Sequence, residues 1–133
     1  MERIDSPRTL YAILGALITA VLMKACFFDV MIAQGSSMEP AIKPGTVLVI
    51  GKLSYGFRLP WAETYMVQWA EPTIGDVVVF WTPSGVTAVK RCVGITRQRE
   101  FIARGDNPSV SFDSASYGPV PIDRIIGKAL WMK

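Results

Sequence analysis

The sequence predicts a mainly β protein, a small all-β domain preceded by one N-terminal transmembrane helix. Three observations carry this prediction. An apolar run near the N-terminus is long enough to cross a bilayer. Behind it come short β-branched runs of strand length, cut by Gly and Pro. No long 3.6-residue periodicity follows the first run. The 133 residues leave room for one compact domain, and 50% of them are hydrophobic against 19% charged. That excess argues against a disordered chain and, with a mean hydropathy of +0.31, places part of the protein in lipid.

The helix comes first. After MERIDSPR the chain reads TLYAILGALITAVLMKACFF, and from Leu10 to Phe28 the only charge is Lys24, near the far end, where its long stem reaches back to the interface. About 20 apolar residues span a bilayer, so the run is just sufficient. A cleavable signal peptide and a buried core helix are the competing readings. The run is long for a signal-peptide core, no clean A-x-A site follows before Gln34-Gly35, and the segment is apolar all round. An uncleaved anchor over 9–28 is therefore favoured. Arg3 and Arg8 precede it, and Lys/Arg beside a span mark its cytoplasmic end. The expected layout is a short cytoplasmic tail (1–8), the anchor, and a β-domain (29–133) on the far side.

The strands follow. Val47–Ile50 lies between Pro44-Gly45 and Gly51, and Val77–Trp81 lies between Gly75-Asp76 and Pro83-Ser84-Gly85. Val86–Val93 forms a third run and Ile125–Trp131 a last one. The stretch 57–69 (FRLPWAETYMVQW) fits no strand pattern. It is either a loop packed on the core or a face resting on the membrane, where Trp and Tyr gather.

Composition also limits the chemistry. The chain has no histidine, which removes the commonest general base and metal ligand, and with them a Ser-His-Asp triad or an HExxH site. The net charge of +3 is mild and the basic residues are scattered, so no nucleic-acid surface is expected. Cys26 and Cys92 make neither a disulfide framework nor a metal cluster and read as free thiols. No metal or cofactor is expected. What remains for nucleophile activation is a serine whose proton passes to a neutral lysine. Arginine cannot serve, because it keeps its proton. A free lysine has a pKa of about 10.4, so the base must be desolvated. Ser37 sits in a Gly/Pro bend and Lys90 in an apolar run whose same-face neighbours are Val86, Ala88 and Cys92. On residue types alone, an edge-strand lysine and a turn serine explain the same pattern.

The order of motifs adds a resemblance. Gly35-Ser36-Ser37-Met38-Glu39-Pro40 is similar to the G-x-S-M-x-P motif of type I signal (leader) peptidases, a Ser–Lys serine protease family. Lys52-Leu53-Ser54-Tyr55-Gly56 resembles the segment that follows it in bacterial members. Gly75-Asp76-Val77-Val78-Val79-Phe80 resembles their G-D-[IV]-V-V-F strand, and Lys90-Arg91-Cys92-Val93-Gly94 their K-R-x-x-G motif. Gly105-Asp106-Asn107, Ser111-Phe112-Asp113-Ser114 and Tyr117-Gly118-Pro119-Val120 resemble the closing G-D-N…S-x-D-S-x-x-[YW]-G-x-V, and Gly127-Lys128 the terminal G-[KR].

The resemblance implies a signal-peptidase-like catalytic domain with Ser37 as nucleophile and Lys90 as general base. It implies Arg91 as the structural neighbour of Lys90 with Asp106 as its partner, Ser111 as the serine that hydrogen-bonds the lysine amine, and Asp113 as its support. The Ser37 N–H would give one oxyanion donor. At the second donor position some members carry a serine hydroxyl, and this chain has Gly35. Ala33, Met38, Ile42, Leu48, Val79 and Val89 match the walls of two shallow pockets that read a small-x-small sequence. The chain departs from the pattern where Ile95-Thr96-Arg97 replaces P-G-D, and where Ala115 replaces the arginine of D-S-R, which implies a lost Asp–Arg pair. It also implies a small member without an accessory β-domain. The implied substrates are signal-peptide-bearing preproteins, cut at the outer face of a bacterial cytoplasmic (inner) membrane by a single-pass monomer resting on the lipid bilayer. A peptidase dedicated to pilins or a few secreted proteins, and an inactive relative that binds signal peptides, are the alternatives.

Overall fold

The computed structural model describes residues 6–133, so most of the expected 1–8 tail lies outside the described residues. Helix α1 runs Pro7–Phe27. Ser6 caps it, accepting the Thr9 N–H at 3.3 Å, and Pro7 sits in the first turn, where a missing N–H costs nothing. At about 1.5 Å per residue its 21 residues reach roughly 31 Å, close to the thickness of a hydrocarbon core. None of its side chains is buried by the rest of the chain, and it is long and apolar enough to cross a membrane. Its C-terminal carbonyls would otherwise lack partners. Lys52 supplies two: its N–H donates to Phe27 O (2.9 Å) and its Nζ to Ala25 O (2.9 Å).

The helix passes without a linker into β1 (Phe28–Ile32), followed by β2 (Val47–Gly51), β3 (Gly56–Phe57), β4 (Val67–Gln68), β5 (Val77–Trp81), β6 (Thr87–Ile95) and β7 (Glu100–Arg104). A one-turn helix α2 (Ser114–Tyr117), β8 (Val120–Pro121), a 3₁₀ turn and β9 (Ile125–Met132) complete the chain. Seven strands form one curled antiparallel sheet in the order β1-β2-β9-β5-β6-β7-β8, and β3 pairs with β4 apart from it.

β5 lies at the centre of that sheet and explains its stability. Side chains alternate across a strand, and both faces of β5 are covered. Val78 and Phe80 enter a core with Tyr55, Cys92, Phe101, Ile122 and Ile125, where Phe80 meets Phe101 edge-on at 5.0 Å. Val77 and Val79 enter a second core with Met38, Ile42, Leu48 and Ile50. Two-sided burial is why Val77–Trp81 reads as a continuous apolar run, and each such large side chain is worth about 2 kcal/mol.

The four expected strands are present, Val77–Trp81 with the expected ends and the others shifted by one or two residues. Val86 is exposed and precedes β6, so it is not a same-face neighbour of Lys90. Strands β1, β7 and β8, and the short pair β3 and β4 at the edges of the 57–69 stretch, go beyond the strands expected from the sequence. In the 57–69 stretch, Tyr65 packs on the first core with its hydroxyl donating to Ile125 O (2.9 Å), while Trp61, Met66, Val67 and Trp69 are exposed. Cys26 and Cys92 are both free thiols.

Candidate active site

The site is assembled from a bend, a strand and a loop. The bend joins β1 to β2. Its base is closed by Ala33 N–H to Thr46 O and Gly45 N–H to Ala33 O, both 2.8 Å, and Met38 O accepts the Ile42 N–H at 2.8 Å. Met38 and Ile42 bury their side chains in the second core and so fix the bend, leaving Ser37 at its surface. Gly35 has φ 75°, the left-handed region that suits glycine. A serine offering a second oxyanion hydroxyl there would carry backbone strain, although open space surrounds the position. Among the described residues no backbone carbonyl takes the Ser37 N–H, which leaves it available to an oxyanion.

The strand is β6. Lys90 lies opposite Val78 in the ladder, between Ala88 and Cys92 on its own face, and only 6% of it is exposed. Its Nζ stands 2.6 Å from Ser37 Oγ. Burial pushes the Lys90 amine below the ordinary lysine value, and the Asp113 carboxylate opposes that shift. Neighbouring Arg91 turns away, forking onto Asp106 (2.9 and 2.7 Å) and donating to Gly75 O (2.9 Å).

The loop is Gly105–Asp113, following β7. Asp113, 2% exposed, accepts the Gly105 N–H (2.8 Å), the Ser111 hydroxyl (2.7 Å) and the Ala115 N–H (3.0 Å). Burial raises its pKa, but these donors and Arg104 outweigh it and hold the carboxyl below its usual range. The resemblance gives Ser111 to the lysine amine; here the Ser111 hydroxyl donates to Asp113, and the Lys90 amine meets Ser37 Oγ. The implied loss of an Asp–Arg pair at Ala115 is also corrected. Arg104, from the end of β7, places Nε 3.5 Å from Asp113 Oδ1.

Asn107 stood in a quoted motif without a role. Its N–H donates to Ser37 O (2.9 Å) and its side-chain amide to Ser36 O (3.2 Å), with Ser109 Oγ holding the amide oxygen at 2.8 Å. The loop thereby fastens the Ser37 peptide itself. Gly105 must lack a side chain, because a Cβ there would collide with Ser111 and stand 2.6 Å from Ser37 O. No pattern in the sequence reveals Arg104, since only the return of the loop after β7 brings Asp113 back to it.

Beside Ser37 and Lys90 opens a cleft of about 380 Å³ lined by Met31, Ile32, Ala33, Gln34, Gly35, Met38, Ile42 and Thr87–Val89. Four of the six expected wall residues, Ala33, Met38, Ile42 and Val89, are in that lining. Leu48 and Val79 are not: both are fully buried in the core beneath it, so they shape the floor only through Met38 and Ile42. The arrangement is a hydroxyl in contact with a desolvated amine, beside a backbone N–H with no carbonyl partner among the described residues and a cleft lined by both polar and apolar groups. That set can transfer an acyl group.

Comparison with known proteins identifies the family. The family model for signal peptidase, peptidase S26, matches residues 6–99, which include Ser37 and Lys90 and stop short of Ser111 and Asp113. Signal peptidase I of Pseudomonas aeruginosa is 30% identical over 99 residues, 68% of this chain and 35% of that protein. Signal peptidase I of Haemophilus influenzae is 28% identical over 124 residues, 93% of this chain and 34% of that protein. The mitochondrial ATP-independent inner membrane protease subunit 1b of Arabidopsis thaliana is 26% identical over 122 residues, 74% of this chain and 66% of that protein. The chain thus spans about a third of the length of these Signal peptidase I relatives.

Proposed function

The chain belongs to the signal peptidase (peptidase S26) family, and from that premise we propose that it is a membrane-bound serine endopeptidase removing signal peptides from exported preproteins, with Ser37 as nucleophile and Lys90 as base. The observation that carries the reading is the 2.6 Å approach of a buried lysine amine to the Ser37 hydroxyl. In the neutral state Lys90 accepts the Ser37 proton as Oγ attacks the scissile carbonyl. The Ser37 N–H receives the developing oxyanion. The resulting ammonium gives its proton to the leaving amine, and a water activated by the same amine then releases the acyl group.

The substrate reading rests on the cleft. Its apolar walls, Ala33, Met38, Ile42 and Val89, suit small side chains on an extended peptide and exclude large ones by clash. The anchor α1 and exposed Trp61, Met66 and Trp69 support a membrane-surface location, where enzyme and precursor share a high effective concentration. The domain lies outside the cytoplasm in this reading, on the side where translocated precursors emerge.

The test is cleavage of a preprotein by the full chain in proteoliposomes. Ser37→Ala and Lys90→Ala abolish product while leaving the melting temperature near the parent's. Cleavage at the parental rate by either variant overturns the assignment. A parent that binds precursors and cuts none overturns the activity.

A further inference from the structure

Two arginines stand directly opposite each other in the β6–β7 ladder, Arg91 and Arg104. Like charges facing across a strand pair repel, so each needs its own counter-charge. Arg91 takes Asp106 at the start of the following loop, and Arg104 takes Asp113 at its end. The two ion pairs therefore pin both ends of the segment that holds Ser37's carbonyl through Asn107 and presents Ser111.

We propose that Arg104 is a positioning residue of the active site: from the end of β7 it holds the Asp113 carboxylate, and through it Gly105 and Ser111, behind the Ser37–Lys90 pair. It supplies from another strand the cation that Ala115 does not provide. The proposal rests on the reading of Ser37 and Lys90 as nucleophile and base. Asp113 accepts three hydrogen bonds from the loop and from α2, all of which depend on where its carboxylate sits. Arg104 is the cation paired with it, and about half of the Arg104 side chain stays in solvent, so its loss removes the counter-charge of the buried Asp113 without emptying a core position.

The pair also has an electrostatic consequence. Asp113 favours the protonated form of Lys90, and Arg104 offsets Asp113. The other charged or titratable groups around the two, among the described residues, are the Arg91–Asp106 pair, whose charges are locked to each other, the Cys92 thiol, pushed up by burial, and Tyr117, whose hydroxyl is pushed up to about 12 by burial and by Asp113. None of these replaces Arg104 beside Asp113. Removing Arg104 therefore makes Lys90 harder to deprotonate, and the acid limb of kcat/KM moves to higher pH.

Two measurements test this on the full chain in detergent micelles. One is the pH profile of kcat/KM for preprotein cleavage. The other is an NMR titration of Lys90 in Ser37→Ala protein, which reads the amine without needing activity. Arg104→Ala is expected to move the acid limb upward, lowering kcat/KM on the limb by roughly two- to fivefold, and to move the Lys90 titration the same way. Arg104→Lys restores both, and Ala115→Arg in the Arg104→Ala background restores them in part. If Arg104→Ala does not fold, Arg104→Gln carries the same expectation. A parental limb and a parental Lys90 titration in the Arg104 variant overturn the proposal, as does a uniform fall in rate with no change in pH dependence. If Ser37→Ala cleaves like the parent, the Ser–Lys reading fails, and the titration still decides the electrostatic role of Arg104.

Discussion

Asp76 and Asp113 are both buried carboxylates set at strand or helix ends, and each holds several donors and one half-exposed cation. Asp76 accepts the Tyr55 hydroxyl (2.7 Å) and the Thr73 N–H (3.1 Å) and pairs with Lys128 at 2.8 Å. Asp113 accepts Gly105, Ser111 and Ala115 and pairs with Arg104. Burial alone would raise both carboxyls, and in both cases the donors and the cation outweigh it and leave the group below its usual range. The difference lies in what stands beyond them. Asp76 ties the β5 turn to Tyr55 and β9 and raises the Tyr55 hydroxyl far above its ordinary value, after burial itself. Asp113 acts on Lys90. The same device serves the scaffold in one place and the proposed base in the other, so stability and pH dependence should separate on mutation.

The largest effect that would break this comparison sits at Gly105. Gly105→Ala drives a Cβ into Ser111 and toward Ser37 O, and activity is expected to fall about 100-fold or more from displacement of Ser37. Steady-state cleavage assays beside thermal melts check this, and a near-parental rate would mean that the Gly105–Asn107 turn does not hold Ser37. Next comes Asp113→Asn. Removing a negative charge near Lys90 moves the acid limb of kcat/KM to lower pH, with a loss of about tenfold at the optimum from the loosened loop. A limb that stays put, or moves upward, contradicts the assigned electrostatics.

Asp76→Asn should cost about 2 kcal/mol of stability by denaturant melt and leave the limb unmoved. A shifted limb would show the two carboxylates to be equivalent. Both aspartates have folded-state pKa values below their unfolded ones. Their stabilisation is present above the ordinary carboxylate range and is lost as pH falls below it and through the lowered folded-state values, so each variant flattens the fall in melting temperature below about pH 4. The smallest effect is Tyr55→Phe, about 1 kcal/mol from one lost hydrogen bond, again with no change in the limb.

The sequence made the two ends of this contrast unequally visible. β5 was legible because burial on both faces gives an unbroken apolar run. Ser37 and Lys90 were legible because the absence of histidine narrowed the chemistry and the motifs stood in order. β1 was hidden because it continues the helix without a turn signal, and β7 because only Phe101 and Ala103 of its five residues point inward. Leu48 and Val79 matched wall positions yet lie beneath the cleft, since strand alternation puts them in the core rather than on its surface. Arg104 was invisible for a further reason. Its partner is nine positions away along the chain, and only the loop's return between Asp106 and Asp113 brings the two together.

The central claim is that a neutral Lys90 takes the Ser37 proton, and the pH dependence of kcat/KM for preprotein cleavage tests it most directly. The parent is expected to lose activity as pH falls through a limb below the ordinary lysine value of about 10.4, because burial favours the free amine. Lys90→Arg, permanently charged, is expected to show no measurable cleavage at any pH. A Lys90→Arg enzyme that cleaves with the parental limb would contradict the account.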